Sequence, residues 1–193
     1  IRERIVAALG TVSIAEMGRA YGALTEGMQY ADYRTTPPLD PVIVTRIVDS
    51  EGEEIYRALP QAETVVDYRV TAMLNEILRN VVNYGTASQA KEAVSMMLDL
   101  GGQGGNVVVT IPTLGKTGTA NEYSNSSYIG FIPAFSAGKA DLSLAEAFVV
   151  TAYVGYDDNT PMKNRHLRIF GASGALPVWI GVANEIVNSP LYQ

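Results

Sequence analysis

The 193-residue chain is 47% apolar and 18% charged, the composition of a globular domain with its own core and not of a disordered segment. With 14 Lys and Arg against 20 Asp and Glu, its net charge is −6, which argues against a nucleic-acid binder built on clustered basic residues. It has no Cys and a single His, His166, so disulfides, a thiolate nucleophile, a Cys-type zinc site, a multi-His metal centre and a local Ser-His-Asp triad are excluded within these residues.

Residues 1–9 read as the end of an element that began upstream, and a chain opening on Ile1 reads as a piece of something longer. Ser13 and Glu16 have capping-box spacing. Ile14, Met17, Ala20, Tyr21 and Leu24 then recur at helical spacing, and Gly27 stands where a glycine would stop the helix. Thr35-Thr36-Pro37-Pro38 predicts a loop. The β-branched density from Val42 to Val48 predicts a strand, Asp49-Ser50-Glu51-Gly52 a turn, and Glu54-Ile55-Tyr56 the returning strand of a hairpin. Asp67 caps a second helix whose apolar stripe is Val70, Met73, Leu74, Ile77, Leu78, Val81 and Val82, ended by Gly85. A third helix is expected over about Ser88 to Leu100, and Gly101 to Gly105 reads as the tip of a hairpin or insert. Strands are expected at Val107 to Ile111, from Lys116 through Phe131, and at Ala147 to Val154, with a last helix from Leu176 to Val187 carrying Pro177 in its first turn. The order predicts an α+β fold, an antiparallel sheet covered by helices. No apolar run approaches the roughly 18 residues of a membrane span.

The stretch that carries chemistry is Gly115-Lys116-Thr117-Gly118-Thr119-Ala120-Asn121. If it opens an edge strand, Thr117 and Thr119 share one face, Lys116 adds a compact positive charge, and Gly118 leaves the backbone open to close approach. That set suits a peptide carboxylate, held by charge-assisted hydrogen bonds and docked by strand addition. On the four residues alone, a Gly-containing turn with solvated Lys and Thr stands as the alternative.

Lys-Thr-Gly is also the third motif of the penicillin-recognising serine acyl-transferases, and the chain resembles the penicillin-binding transpeptidases over most of its length. The residues that carry the resemblance are Ala7 to Gly10 with Thr11 to Tyr21, then Val81-Val82-Asn83-Tyr84-Gly85-Thr86-Ala87, then Gly115 to Asn121 followed by Tyr128 to Pro133. Val154 to Met162 and Gly174 to Trp179 look most like the bifunctional class A members. The resemblance implies a D,D-transpeptidase that cross-links peptidoglycan stem peptides ending in D-Ala-D-Ala and is acylated by β-lactams. It places the protein at the outer face of the cytoplasmic membrane and implies no cofactor or metal. Carried over by position, Lys116 lends positive field and helps proton traffic, Thr117 and Thr119 bind the substrate carboxylate, Gly118 permits docking, and the backbone N–H of Thr119 is an oxyanion donor.

The family also needs Ser-x-x-Lys and Ser-x-Asn ahead of Lys-Thr-Gly. Ser88-Gln89-Ala90-Lys91 lies after the Gly-Thr-Ala signature, Ser136-Ala137-Gly138-Lys139 lies after Lys-Thr-Gly, and no Ser-x-Asn occurs. Tyr123-Ser124-Asn125 follows Lys-Thr-Gly and reads as a turn. Residues 1–193 therefore read as the C-terminal half of a transpeptidase domain, with the nucleophile upstream and the upstream half as partner. The competing readings are a D,D-carboxypeptidase or β-lactamase-like hydrolase, and a non-catalytic peptide-binding module. His166 reads as a surface-loop residue, Trp179 as core, Glu51, Glu53 and Glu54 as a solvated hairpin tip, and Glu63 as a carboxylate without an identified partner.

Overall fold

The structure, a computed structural model, describes residues 12–34, 42–99, 105–135, 141–190 and 192. Its elements run α1 (Ile14–Glu26), β1 (Met28–Ala31), β2 (Arg46–Val48), β3 (Glu54–Arg57), β4 (Gln61–Thr64), α2 (Tyr68–Tyr84), β5 (Ser95–Asp99), β6 (Asn106–Thr110), β7 (Leu114–Thr119), β8 (Asn125–Phe135), β9 (Leu142–Gly155) and α3 (Ala175–Val187). Single 3-10 turns lie at Ser88–Ala90 and Asn121–Tyr123. Every strand pairing is antiparallel: β1 with β4, β2 with β3, β5 with β6, and the sheet β7-β8-β9. The α+β expectation holds, with helices on a central antiparallel sheet. The expected features at residues 1–9, Thr35 to Pro38, Gly101 to residue 104 and Ser136 to Lys139 lie outside the described residues.

Local signals set the helix ends. The Ser13 hydroxyl accepts from Glu16 N–H while the Glu16 carboxylate accepts from Ser13 N–H, a complete capping box. Gly27 ends α1 at φ 81°, and a Cβ there would lie 2.2 Å from the Val66 carbonyl oxygen. Its own carbonyl accepts from Val65 and Val66 N–H (2.9 and 3.1 Å), so this residue turns the helix into β1 and anchors the end of β4. Asp67 caps α2 as expected, its carboxylate accepting from Arg69 N–H.

Three expectations need correction. Residues 88–99 of the expected third helix are not helical: after the 3-10 turn the chain forms β5, which pairs with β6 from Ser95↔Thr110 to Asp99↔Asn106. The backbone of this segment is also bonded from α3. Asn184 accepts from Ser95 N–H and donates to Ala93 C=O, and Asn188 accepts from Met97 N–H and donates to Ser95 C=O. Two asparagines one helical turn apart thus act as a neighbouring strand, a non-local effect that overrides the helix-forming Met, Leu and Lys. Second, the apolar stripe of α2 is split. Leu78 and Val82 are buried with Thr71 and Asn75, whereas Met73 and Ile77 are 69% and 58% exposed. Third, the strand in the Val42 to Val48 segment is confined to β2, with one further backbone bond from Ala58 N–H to Thr45 C=O, and β1 and β4 form a ladder with no sequence signal.

The core lies mainly between β8 and α3. Trp179 is fully buried, its ring edge-on to Tyr128 at 5.0 Å, and its indole N–H donates to Val150 C=O at 3.0 Å. On the other side of the sheet Phe131 and Leu114 pack with Leu78, Tyr21 and Leu24, so α1 and α2 share that face. No helix among the described residues is long and apolar enough to cross a membrane.

A buried carboxylate ties the β2–β3 hairpin to β1. Asp32 accepts from Arg34 Nε (2.8 Å), Tyr56 Oη (3.1 Å) and Leu59 N–H (3.2 Å), and the Arg34 guanidinium holds its carboxyl well below the usual carboxylate range. A carboxyl whose folded pKa lies below its unfolded value of about 3.9 contributes stability above that pH and loses it as pH falls. Asp32→Asn should therefore flatten the acid limb of the stability profile below about pH 4, measured by urea denaturation across pH.

Candidate functional site

Lys116 to Thr119 lie on β7, at the edge of the central sheet among the described residues, the first of the two arrangements the four residues left open. The ladder with β8 runs from Leu114↔Phe131 to Thr119↔Ser126, and no strand pairs the outer edge of β7 among the described residues. Just past the strand, Ala120 N–H donates to Asn125 C=O across the ladder. Backbone groups of alternate residues point the same way, so the N–H and C=O of Thr117 and Thr119 point from the open edge. Lys116 Nζ reaches the same edge, donating to Thr117 C=O at 2.7 Å.

The two threonines do share a face, and the loop before α3 touches both. Gly171 N–H donates to Thr119 Oγ1 at 2.9 Å, and a Cβ on Gly171 would fall 2.8 Å from Thr117 Cβ and 2.7 Å from Gly118 O. Only a residue without a side chain lets this loop close on the strand. The loop is fixed from beneath by Ser126, fully buried on β8, which donates to Phe170 C=O (3.1 Å) and accepts from Ala175 N–H (2.9 Å). Ser126 faces Thr119 in the β7–β8 register, so one pair of residues joins strand, loop and the start of α3.

Thr117 Oγ1 has a second neighbour, Thr86 Oγ1, at 2.7 Å. Gly118 has a reason inside the chain to be glycine, because a Cβ would meet Ser127 Oγ at 2.3 Å. Sequence reasoning missed Thr86 and Gly171 as parts of the site. Thr86 lies in a recognised motif that had no assigned chemistry, and nothing local marks Gly171.

His166, Trp179, Tyr123 and Ser124 fall where the blander readings put them. His166 is on an exposed loop, its N–H donating to Asn164 Oδ1, and Trp179 is core. Tyr123 and Ser124 lie in the β7–β8 connection, where Lys163 pairs with Glu122 and both Lys163 and Arg168 lie over the Tyr123 ring. Glu63, expected to lack an identified partner, accepts a bond from Tyr33 Oη at 2.8 Å. Ser88 and Lys91 are linked through the backbone, Lys91 N–H to Ser88 C=O at 3.2 Å. Among the described residues no group of three or more His, Asp or Glu is arranged to hold a metal ion.

No family model matches the chain. It is similar to penicillin-binding protein 1A of Aquifex aeolicus, 29% identical over 175 residues, which are 90% of this chain and 19% of that protein. It is also similar to penicillin-binding protein 1B of Vibrio cholerae, 28% identical over 133 residues, 69% of this chain and 13% of that protein. The fold matches the crystal structure of penicillin-binding protein 1A from Haemophilus influenzae with a TM-score of 0.64, at 20% identity, over 91% of this chain and 26% of that one. The resemblance to class A penicillin-binding proteins read from the motifs therefore holds across most of the chain. The chain spans about a fifth or less of the length of these curated relatives.

Removing the Ser126 hydroxyl leaves Phe170 C=O and Ala175 N–H without this partner. Ser126→Ala should lower stability by about 1–3 kcal/mol and speed hydrogen exchange at the Ala175 and Gly171 amides, read by NMR.

Proposed function

We propose that this chain is the C-terminal half of a penicillin-binding transpeptidase domain, supplying the strand that binds the substrate carboxylate and part of the oxyanion hole. The observation that carries the reading is the open edge of β7, where Lys116, the Thr117 and Thr119 hydroxyls and outward backbone N–H groups converge. An extended peptide ending in a carboxylate adds to such an edge as a strand, its charge met by Lys116 and the two hydroxyls.

In the proposed reaction a serine supplied by residues outside these 193 attacks the penultimate D-Ala carbonyl of a peptidoglycan stem peptide. The tetrahedral oxyanion is stabilised by the Thr119 backbone N–H together with the nucleophile's own N–H, and D-Ala leaves with a proton. An amine of a neighbouring stem peptide then takes the acyl group. β-Lactams enter by the same carboxylate contacts and remain as the acyl-enzyme. The site of action is the outer face of the cytoplasmic membrane, where peptidoglycan lies.

The proposed upstream half is supported by the exposed apolar side of α2, where Val70, Met73, Ile77 and Tyr84 recur at helical spacing without a described neighbour covering them. The order of motifs supports it as well, since Ser88 lies behind the Gly-Thr-Ala turn.

The protein carrying this chain should be acylated by a labelled penicillin, with the adduct on a residue outside 1–193 when mapped by mass spectrometry. An adduct within this chain would overturn the proposed place of the nucleophile, and reversible peptide binding without any adduct would favour the non-catalytic module. Hydrolysis of D-Ala-D-Ala peptide without acyl transfer to an added amine would favour the hydrolase. Lys116→Ala should slow acylation about 10- to 100-fold with an unchanged thermal midpoint, the cost of losing a charge-assisted contact. Ser88→Ala should leave acylation unchanged.

A further inference from the structure

Resting on the carboxylate-binding role proposed for β7, we propose that Thr86 is a positioning residue that orients the Thr117 hydroxyl toward the substrate carboxylate. The two hydroxyls lie 2.7 Å apart although 31 residues separate them. Three features bring Thr86 to that place. Gly85 reverses the chain at the end of α2, its N–H bonded to Val81 C=O, and a Cβ there would lie 2.9 Å from both Val81 Cα and Val81 O. Ala87 is fully buried in the main core and donates its N–H to the same Val81 carbonyl at 3.2 Å. Thr86, held between a turn and an anchor, is left exposed at the end of α2 with its hydroxyl on β7. The Gly-Thr-Ala sequence is thus a device in which each residue has one physical task.

The chemistry follows from the capacity of a hydroxyl, which donates once and accepts twice. Thr117 Oγ1 is within reach of Lys116 Nζ, which has only protons to give, at 3.5 Å. If Thr86 also donates to Thr117 Oγ1, both acceptor positions are taken and the single Thr117 proton is directed at the incoming carboxylate. Thr119 is treated in the same way by Gly171 N–H, which fills one acceptor position and leaves the proton free to face the ligand. Both hydroxyls of the strand are in this way polarised from behind by groups outside the Lys-Thr-Gly motif. A hydroxyl held by a donor makes a stronger charge-assisted bond and loses less rotational freedom on binding.

The test compares penicillin acylation rates in the protein carrying this chain for the unsubstituted form, Thr86→Val, Thr86→Ser, Thr117→Val and the Thr86→Val/Thr117→Val double variant. The second ligand is the penicillin methyl ester, which lacks the anionic carboxylate. Thr86→Val should slow acylation by penicillin about 3- to 10-fold, leave the ester rate and thermal midpoint unchanged, and add nothing in the Thr117→Val background. Thr86→Ser should acylate at the unsubstituted rate. A Thr86→Val rate equal to that of the unsubstituted protein would overturn the inference while the proposed function stands. Equal slowing with penicillin and its ester, or a slow Thr86→Ser, would reduce Thr86 to a packing role and overturn it too. A loss that persists in the double variant would mean direct contact of Thr86 with the ligand and overturn the positioning role. An unsubstituted protein that penicillin does not acylate would overturn the proposed function, and this inference with it.

Discussion

The arrangement of this molecule depends on the asymmetric pairing of one strand. β7 is bonded along one edge to β8 and, among the described residues, unpaired along the other. An unpaired strand edge is ordinarily a hazard, since it templates further pairing, and proteins commonly blunt it with charge or cover it. Here the edge carries a lysine and two threonines, polar enough to discourage a hydrophobic strand and suited to an anionic peptide. β8 supplies the rigidity: ten of its eleven residues pair with β9, and Tyr128 and Ile132 are buried in the core that α3 closes. The edge is therefore presented by a fixed ladder and not by a loop, the condition for precise placement of hydrogen-bonding groups.

Around that strand, the contacts that orient its side chains come from distant segments. Gly171 reaches Thr119 over 52 residues and Thr86 reaches Thr117 over 31. Ser126 links the arrangement to the start of α3 through two bonds made in a fully buried position. Such bonds stabilise less by their own strength than by what their loss would leave unsatisfied. The same residues that hold the loop down hold the hydroxyls in place, so stability and presentation of the site are coupled through Ser126.

What the sequence made legible is what is decided locally. The capping box at Ser13 and Glu16, the stop at Gly27 and the cap at Asp67 each depend on residues within a few positions. Residues 88–99 were misread because Met96, Met97 and Leu98 are compatible with either helix or strand, and the choice is made by Val107 to Val109 across the ladder and by Asn184 and Asn188 on α3. β1 and β4 were illegible for the same reason, each four residues long and stabilised by the other. In the candidate site, the motif named Lys116, Thr117 and Thr119, but their hydrogen-bond partners Thr86 and Gly171 come from places whose only sequence mark is a threonine or a glycine.

In α2 the sequence pattern and the packing context diverge. Seven apolar residues at helical spacing predict one buried stripe, yet the face turned to β7 also buries Thr71 and Asn75, while Met73 and Ile77 point away. Asn75 is held there by donating to Leu24 C=O at 2.9 Å, which fixes the rotation of α2 against α1 and sets which apolar residues face outward. At about 25 cal/mol per Å² of apolar surface, covering several such side chains yields several kcal/mol, comparable to the net stability of a small domain. A helix with apolar residues on two sides is suited to lie between two layers. Here one layer is the sheet that presents Lys116 and the threonines, and on the proposed reading the other is the half-domain that brings the serine. Because α2 ends at Gly85 and Thr86, its packing against that second layer would also set where the Thr86 hydroxyl meets Thr117. Assembly of the domain and alignment of the carboxylate site are then one event.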